Sequence, residues 1–415
     1  MASYGGSGWL GTGVALAAGA ALAAGPRLSA PPDFAGLYQA AAAPRLAPAL
    51  RREGDSLRLF LNRADLPAGS CAGPMLRLTA WASYDASQPL WQQVRRLRPA
   101  TGLGQPAAPG QVLGTAVAAS RLEAGQVLQV SLDTATTQSP ATTAWLPLTA
   151  ERLTQPFVLL DSAGLVLDRP YLRQGAALRI AAYGAAQPVR WRRYPTGAAA
   201  LPPFADPRSQ PAARTLGVLD SSATAASSGQ LLRLPAQGLY ALKIGTPAHP
   251  LPLLVVRPDF PGQTTADELI ENLLYLTTAT ERRRLSEAAS PKRAVDDFWL
   301  MAAGDDQRVG RDLIRRYYGR VAAANELFTG HKAGWRTDRG LLYVVLGPPQ
   351  RVGRTAALEI WHYPHAARDG GPVDFSFRAR PSILAPDNYE LVRRPEYEQL
   401  WYAAVDQWRK PLSVR

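Results

Sequence analysis

Residues 334–349 of this 415-residue chain have the sequence Gly-Trp-Arg-Thr-Asp-Arg-Gly-Leu-Leu-Tyr-Val-Val-Leu-Gly-Pro-Pro. Thr337 and Asp338 carry short side chains with oxygen atoms, which commonly bond to nearby backbone amides and fix a turn. The apolar run from Leu341 to Leu346 predicts a strand that ends sharply at the following glycine and prolines. Trp335 lies between this strand and a preceding helix, so we expect its ring to fill the space between them.

Three amphipathic helices are predicted before this stretch. The first begins at the capping box Thr265-Ala266-Asp267-Glu268, where the threonine and glutamate side chains bond to free amides. The second begins at Ser290-Pro291, and the third extends from about Arg311 to Phe328 with one apolar face. After the stretch we expect two more strands and a closing helix, from Leu358 to Tyr363, Val373 to Phe377 and Pro395 to Arg409. These elements predict an α+β domain with a small antiparallel sheet packed on helices.

The chain before residue 258 contains short segments of alternating apolar and polar residues. Ser56 to Leu61 and Met75 to Tyr84 show this alternation, and further strand-like runs follow as far as Leu251 to Val256. Alternation with a period of two is typical of half-buried strands, and many short strands separated by turns predict sandwiches. The predicted fold is therefore multidomain, with an N-terminal, immunoglobulin-like β-sandwich region followed by the α+β domain.

Changes in composition predict the domain boundaries. Residues 1–25 would be a signal peptide or N-terminal anchor, and the Pro- and Ala-rich residues 26–50 a linker. Residues 51–160 and 161–258 would form two β-sandwich domains. Residues 262–415 would form the α+β domain, because the capping box marks a new start there.

The segment from Trp9 to Ala24 is uncharged and rich in Leu, Val, Ala and Gly. It is long enough for the core of a signal peptide and shorter than a membrane span of ~20 apolar residues. The segment predicts export to the periplasm or cell envelope, with membrane contact through this segment only. The preceding Met1 to Gly8 lacks the usual positive charge, so the alternative is a disordered Ala/Gly tail.

Charge and cysteine content restrict the class of partner and cofactor. The formal net charge is +13, but almost all of it comes from arginines dispersed along the chain, whereas nucleic-acid binding needs clustered charge. We therefore predict no nucleic-acid partner, and keep binding of an acidic polymer as a third hypothesis. Cys71 is the only cysteine, which excludes an intramolecular disulfide and any metal site with two thiolates.

Residues 334–338 spell Gly-Trp-x-Thr-Asp, and their surroundings resemble the bacterial GWxTD family. Upstream aromatic helices containing Phe298-Trp299 and Tyr317-Tyr318 are similar to this family in order and spacing, as are Glu359 to Tyr363 and Tyr389 to Val392. The resemblance extends over roughly residues 260 to 410. It implies an exported, β-rich front half and a C-terminal domain whose biochemical activity is not established.

The resemblance supplies no reaction, and the sequence lacks a nucleophile elbow, a zinc-protease motif and a phosphate-binding loop. The leading interpretation is a non-enzymatic structural or interaction protein of the envelope, with sandwiches as spacers and an envelope protein or polymer as partner. The alternative is a hydrolase of an envelope polymer or peptide that uses Asp338, Glu359 and His331 for acid–base chemistry. The predicted binding residues are Trp335, Arg336, Thr337, Asp338, Arg339, Tyr343 and Trp361.

His362 and His365 form an H-x-x-H pair, with His331 and Asp338 as candidate neighbours. Residues three apart on a strand point to opposite faces, whereas zinc needs three or four converging ligands. We therefore predict no metal and no cofactor.

Overall fold

A computed structural model describes most of the chain. The residues it describes are 32–39, 46–66, 74–104, 108, 110–133, 143–206, 216–222, 226–245, 249–364 and 371–410. The predicted export segment from Trp9 to Ala24, Cys71 and His365 lie outside these residues. None of the helices in the described ranges has the length and apolar character needed to cross a membrane.

In the described residues up to 154, the chain forms a first region of eight strands and a short α-helix. They are β1 (Ala49–Glu53), β2 (Ser56–Asn62), β3 (Met75–Trp81), β4 (Pro89–Arg96), β5 (Arg98–Pro99), β6 (Val112–Ala118), β7 (Val127–Leu132), β8 (Thr143–Pro147) and α1 (Ala150–Thr154). Two antiparallel sheets result, with strand orders β1-β2-β6-β5 and β4-β3-β7-β8. Alternate side chains of both sheets, such as Leu59 and Leu78, share one buried apolar cluster.

The part of residues 157–256 that the structure describes contains nine strands, which form the second region. They are β9 (Phe157–Asp161), β10 (Tyr171–Arg173), β11 (Ala177–Ala182), β12 (Pro188–Tyr194), β13 (Asp220–Ser221), β14 (Ala226–Ser227), β15 (Leu231–Arg233), β16 (Gly238–Ile244) and β17 (His249–Val256). One sheet has the order β10-β17-β16-β12-β13, with β14 also paired to β12, and the other has the order β15-β11-β9. The β10–β17 pair is parallel. Phe157, Ile180 and Leu242 join the two sheets in a second apolar cluster.

In the described residues of the C-terminal region, helices and a four-stranded antiparallel sheet share one buried apolar cluster. The elements are α2 (Ala266–Asn272), α3 (Ala279–Ser286), α4 (Pro291–Ala302), α5 (Gln307–Phe328), α6 (Asp338–Leu346), β18 (Arg351–Arg354), β19 (Leu358–Tyr363), β20 (Val373–Ala379), β21 (Tyr389–Leu391) and α7 (Tyr397–Arg409). The strand order is β18-β19-β20-β21. The capping box predicted at Thr265 is confirmed, since both of its hydrogen bonds form.

The predicted strand from Leu341 to Leu346 is wrong, because these residues belong to helix α6. Every residue from Leu341 to Val345 is buried, so the run is apolar on all sides and has no period that separates a helix from a strand. Thr337 accepts a hydrogen bond from the Gly340 amide and caps the helix. The sheet therefore does not include the predicted strand. It contains β18 and β21 instead, two short strands that the periodicity of the sequence did not predict.

Residues 26–50, predicted as a linker, include a short 3-10 helix from Ala35 to Tyr38 and the start of β1. Phe34 and Tyr38 are buried in the same apolar cluster as Trp335 and Trp361 of the C-terminal region. Part of the core of the C-terminal region therefore comes from the beginning of the described chain.

Candidate functional site

The residues that spell Gly-Trp-Arg-Thr-Asp form a tight turn between α5 and α6. Gly334–Arg336 is one turn of 3-10 helix, and Thr337 is the residue before α6. The Thr337 hydroxyl donates to the Gly334 carbonyl at 2.7 Å and accepts from the Gly340 amide at 3.0 Å. This side chain therefore bonds to the backbone on both sides of the turn, which aligns α6 with it.

Glycine is required at two positions of this turn because other backbone atoms lie too close. A Cβ atom on Gly334 would lie 1.9 Å from the Ala324 carbonyl oxygen of α5. A Cβ atom on Gly340 would lie 1.9 Å from the Gly334 carbonyl oxygen. The Trp335 amide also donates to the Asn325 side chain at 3.2 Å. Helices α5 and α6 are thus joined through backbone contact at the turn.

Trp335 is a packed residue with 4% of its surface exposed. Its ring meets that of Tyr275 edge to face, with 5.9 Å between ring centroids, and the Tyr275 hydroxyl donates to the Trp335 carbonyl at 3.5 Å. The guanidinium of Arg336 lies 5.4 Å from the centre of the Trp335 ring. The ring therefore packs among helices, and not against a strand as predicted.

Asp338 forms a buried ion pair with Arg393. Its carboxylate also accepts from the Leu391 amide of β21 at 2.9 Å. Arg393 in turn donates to the carbonyl oxygens of Leu201 and Pro202 at 3.1 and 3.3 Å. Asp338 therefore connects α6 with the last strand of the sheet and with the 201–202 loop, which is a wider role than fixing a local turn.

Glu359 is fully buried, and both of its oxygens are engaged. It accepts from the Tyr38 hydroxyl at 2.8 Å, the Trp361 indole at 2.7 Å and the Arg354 Nε at 2.9 Å. Arg339 lies 3.7 Å away. Burial alone would raise the pKa of Glu359, but attraction to Arg354 and Arg339 outweighs it and holds the pKa below its usual range. This carboxylate is ionised at neutral pH.

The third residue of the hydrolase hypothesis, His331, is in a different environment. Burial and the neighbouring Lys332 lower the pKa of His331 to about 4, so its imidazole is neutral at physiological pH. Asp338 and Glu359 have separate sets of partners, and among the described residues no ion pair or hydrogen bond joins either of them to His331. His362 contacts Asp374 at 2.7 Å. In the described ranges, no three His, Cys, Asp or Glu side chains are placed to hold a metal ion.

A cleft of about 900 Å³ lies between the end of the larger second-region sheet and helix α2. Of the predicted binding residues, only Trp335 and Arg336 line it, whereas Tyr343 and Trp361 are buried in the core. Asn272, at the end of α2, also lines the cleft. Its remaining lining includes Tyr194, Leu219, Gly238, Leu254, Phe260, Ile270 and Glu271.

Asn272 is the most unusual group in this cleft. The residue is only 3% exposed, and its Oδ1 has no hydrogen-bond partner in the described part of the chain. A buried amide oxygen without a partner costs about 1–3 kcal/mol, so its presence in a native structure calls for an explanation. No sequence pattern predicted this site, because its walls come from segments that are distant along the chain.

The geometry defines a β-rich protein whose C-terminal α+β region is organised around the turn at residues 334–338. A family model described as the GWxTD domain matches residues 238–410, so the chain carries a GWxTD domain, as its sequence predicted. The match includes β16 and β17 as well as the helices and the last sheet. A search of curated proteins finds no match to the chain.

We predict that Gly334→Ala strongly destabilises the protein, because the added methyl group collides with backbone atoms that cannot turn away. The loss should be about 3 kcal/mol or more in the free energy of unfolding, measured by chemical denaturation. Gly319→Ala is the control, since Gly319 is exposed on α5 with open space around it. That change should be stabilising by about 0.5–1 kcal/mol. Equal effects of the two changes would contradict the steric argument.

We predict that Asp338→Asn costs about 3–5 kcal/mol in unfolding free energy, because it leaves the buried Arg393 charge without its partner. The asparagine can still accept from the Leu391 amide, so the loss reports on the ion pair. Asp312→Asn is the matched control, since its pair with Arg315 is exposed to solvent. That change should cost less than about 1 kcal/mol. A small effect at both positions would show that Asp338 has only the local turn role.

Proposed function

We propose that this chain is a non-enzymatic interaction protein of the bacterial cell envelope, and that its GWxTD domain binds a partner protein or polymer in the cleft beside Trp335. The β-rich regions would be immunoglobulin-like sandwiches that act as spacers. In support of this, the first and the second region each contain two sheets that share an apolar cluster, which is the arrangement of a sandwich.

The cleft is the observation that carries this proposal. Its volume is within the range of ligand sites, and its lining combines apolar side chains such as Phe260 and Ile270 with about as many polar and charged ones, including Glu271 and Arg336. Asn272 lines the cleft, and its buried Oδ1 has no hydrogen-bond partner in the described residues, so a bound molecule that reaches it could supply the missing donor. Leu219 is 55% exposed at the same cleft and offers apolar contact area to a partner.

The hydrolase alternative is less favoured by the environment of its acidic residues. A general base must reach the proton that it removes from a substrate or a water molecule. Asp338 and Glu359 are both buried, and each is already bonded to an arginine and to further donors. Catalysis through either carboxylate would require these bonds to break, which favours a structural role for both.

We predict that Asn272→Leu separates stability from binding. The free energy of unfolding should rise by about 1 kcal/mol, because a buried oxygen without a partner is removed. The same change should weaken partner binding, since a donor on the partner would lose its acceptor. A photo-activated cross-linker at Leu219, used on native envelopes, should give a discrete adduct that Asn272→Leu reduces.

A cross-linker at Met301 is the control for this experiment, because Met301 is 77% exposed and does not line the cleft. It should give no adduct of the same mass. The cleft is not the binding site if both positions yield the same adduct, or if Asn272→Leu leaves the Leu219 adduct unchanged. Cleavage of an envelope polymer by the parent but not by a folded Glu359→Gln variant would instead support the hydrolase.

We also predict export, on the basis of the uncharged segment from Trp9 to Ala24 and the small residues at its end. Cell fractionation should place the protein in the envelope fraction. N-terminal sequencing of that material should begin shortly after Ala24. Recovery of the intact Met1 form from the cytosol would contradict this part of the proposal.

A further inference from the structure

Residues 33–38, here called the strap, lie along the edge of the GWxTD domain sheet. Strand β18 lies at one edge of that sheet. The Phe34 amide donates to the Val352 carbonyl of β18 at 3.0 Å, and the Val352 amide donates to the Asp33 carboxylate at 2.8 Å. One of these bonds joins two backbones and the other uses a side chain, so the first two residues of the strap pair with the strand edge before the chain continues as the 3-10 helix from Ala35 to Tyr38.

Tyr38 occupies an aromatic pocket at the far end of the strap. Only 4% of it is exposed, and its ring centroid lies 5.5 Å from that of Phe328 and 5.2 Å from that of Trp361. Its hydroxyl donates to Glu359 at 2.8 Å and is also contacted by the Arg354 guanidinium. The pocket thus fits a tyrosine in particular, because only a phenol reaches the buried charges with its ring among the aromatic walls.

Phe34 fills a second pocket, which is formed by residues of the first region and of the C-terminal region. Its ring centroid lies 5.5 Å from that of Tyr84 and 5.1 Å from that of Trp145, both edge to face. The Arg354 guanidinium is 5.4 Å from the centre of the Phe34 ring. Arg354 therefore contacts both anchors of the strap, through a cation–π contact at Phe34 and a polar contact at Tyr38.

The pocket and the strap belong to different parts of the chain. Val352, Arg354 and Glu359 lie within the matched GWxTD domain, whereas the strap begins about 200 residues before the match. Burial raises the pKa of Tyr38, so its phenol stays protonated and able to donate. The site is complete within the GWxTD domain and the first region, and the strap is the element that fills it.

We propose that this groove is a peptide-recognition site for segments of the form Asp-Phe-x-x-x-Tyr, and that the strap occupies it as an intramolecular ligand. The site is separate from the cleft beside Trp335 and does not depend on the function proposed for that cleft. A tethered segment competes at an effective concentration of the order of millimolar. A peptide in trans therefore binds the parent protein weakly and binds it well once the strap anchors are removed.

The test uses a fluorescent peptide of residues 32–39, Pro-Asp-Phe-Ala-Gly-Leu-Tyr-Gln, and the full chain. Fluorescence anisotropy should show at least tenfold tighter binding to the double variant Phe34→Ala, Tyr38→Ala than to the parent. The same peptide with Tyr38→Phe should bind the double variant about tenfold more weakly, because the hydroxyl bond to Glu359 is lost. Asn272→Leu in the cleft should leave peptide binding unchanged, which separates this test from that of the cleft.

The chain variant Tyr183→Ala is the matched control, since Tyr183 is a half-exposed tyrosine outside the groove, and it should bind the peptide as the parent does. The Tyr38→Phe chain keeps the ring and loses only the hydroxyl, so it should remain folded and bind the peptide with intermediate affinity. The proposal is overturned if a folded double variant shows no saturable binding, or if all chains bind equally. It is also overturned if the double variant unfolds and the Tyr38→Phe chain binds no better than the parent.

Discussion

The close contact between Gly334 and the backbone of α5 is the constraint on which the rest of the C-terminal region depends. Because neither Gly334 nor Gly340 has a Cβ, the turn fits between α5 and α6 at a distance that no other residue permits. This position fixes the start of α6 at Thr337. It also directs the side chains that follow, with Trp335 turned towards Tyr275 and Asp338 towards β21.

Buried charges connect the elements that this contact has positioned. A buried ion pair adds little stability compared with apolar packing, but removing one partner is costly, so such pairs favour one arrangement over others. Asp338 and Arg393 join α6 to the end of the sheet, and Glu359 and Arg354 lie beneath the strap. Two carboxylates that resembled catalytic candidates in the sequence therefore have structural partners, which explains why acidic residues occur in an otherwise apolar core.

The sequence predicted elements whose signal is local. Alternation located β2, and the capping box at Thr265 located the start of α2, because these patterns involve neighbouring residues. The sequence-based prediction was wrong at α6, because a helix that is buried on all sides has no periodic pattern of apolar residues. It also missed the strap and the cleft. Phe34 and Tyr38 lie in a Pro- and Ala-rich stretch without periodicity, and the cleft exists only after distant segments have folded together.

The turn at residues 334–338 and the start of α6 contact both proposed binding sites. Trp335 and Arg336 line the cleft, while Arg339 lies 3.7 Å from Glu359 and 5.3 Å from the centre of the Phe328 ring, in the strap pocket. Communication between two sites requires an element with two discrete arrangements. The glycine contacts leave this segment no room to shift towards α5, the Thr337 bonds join Gly334 to Gly340 within it, and Asp338 connects its other side to β21. The same segment that brings the two sites together therefore keeps each in a fixed geometry, so occupation of one site should leave the affinity of the other unchanged.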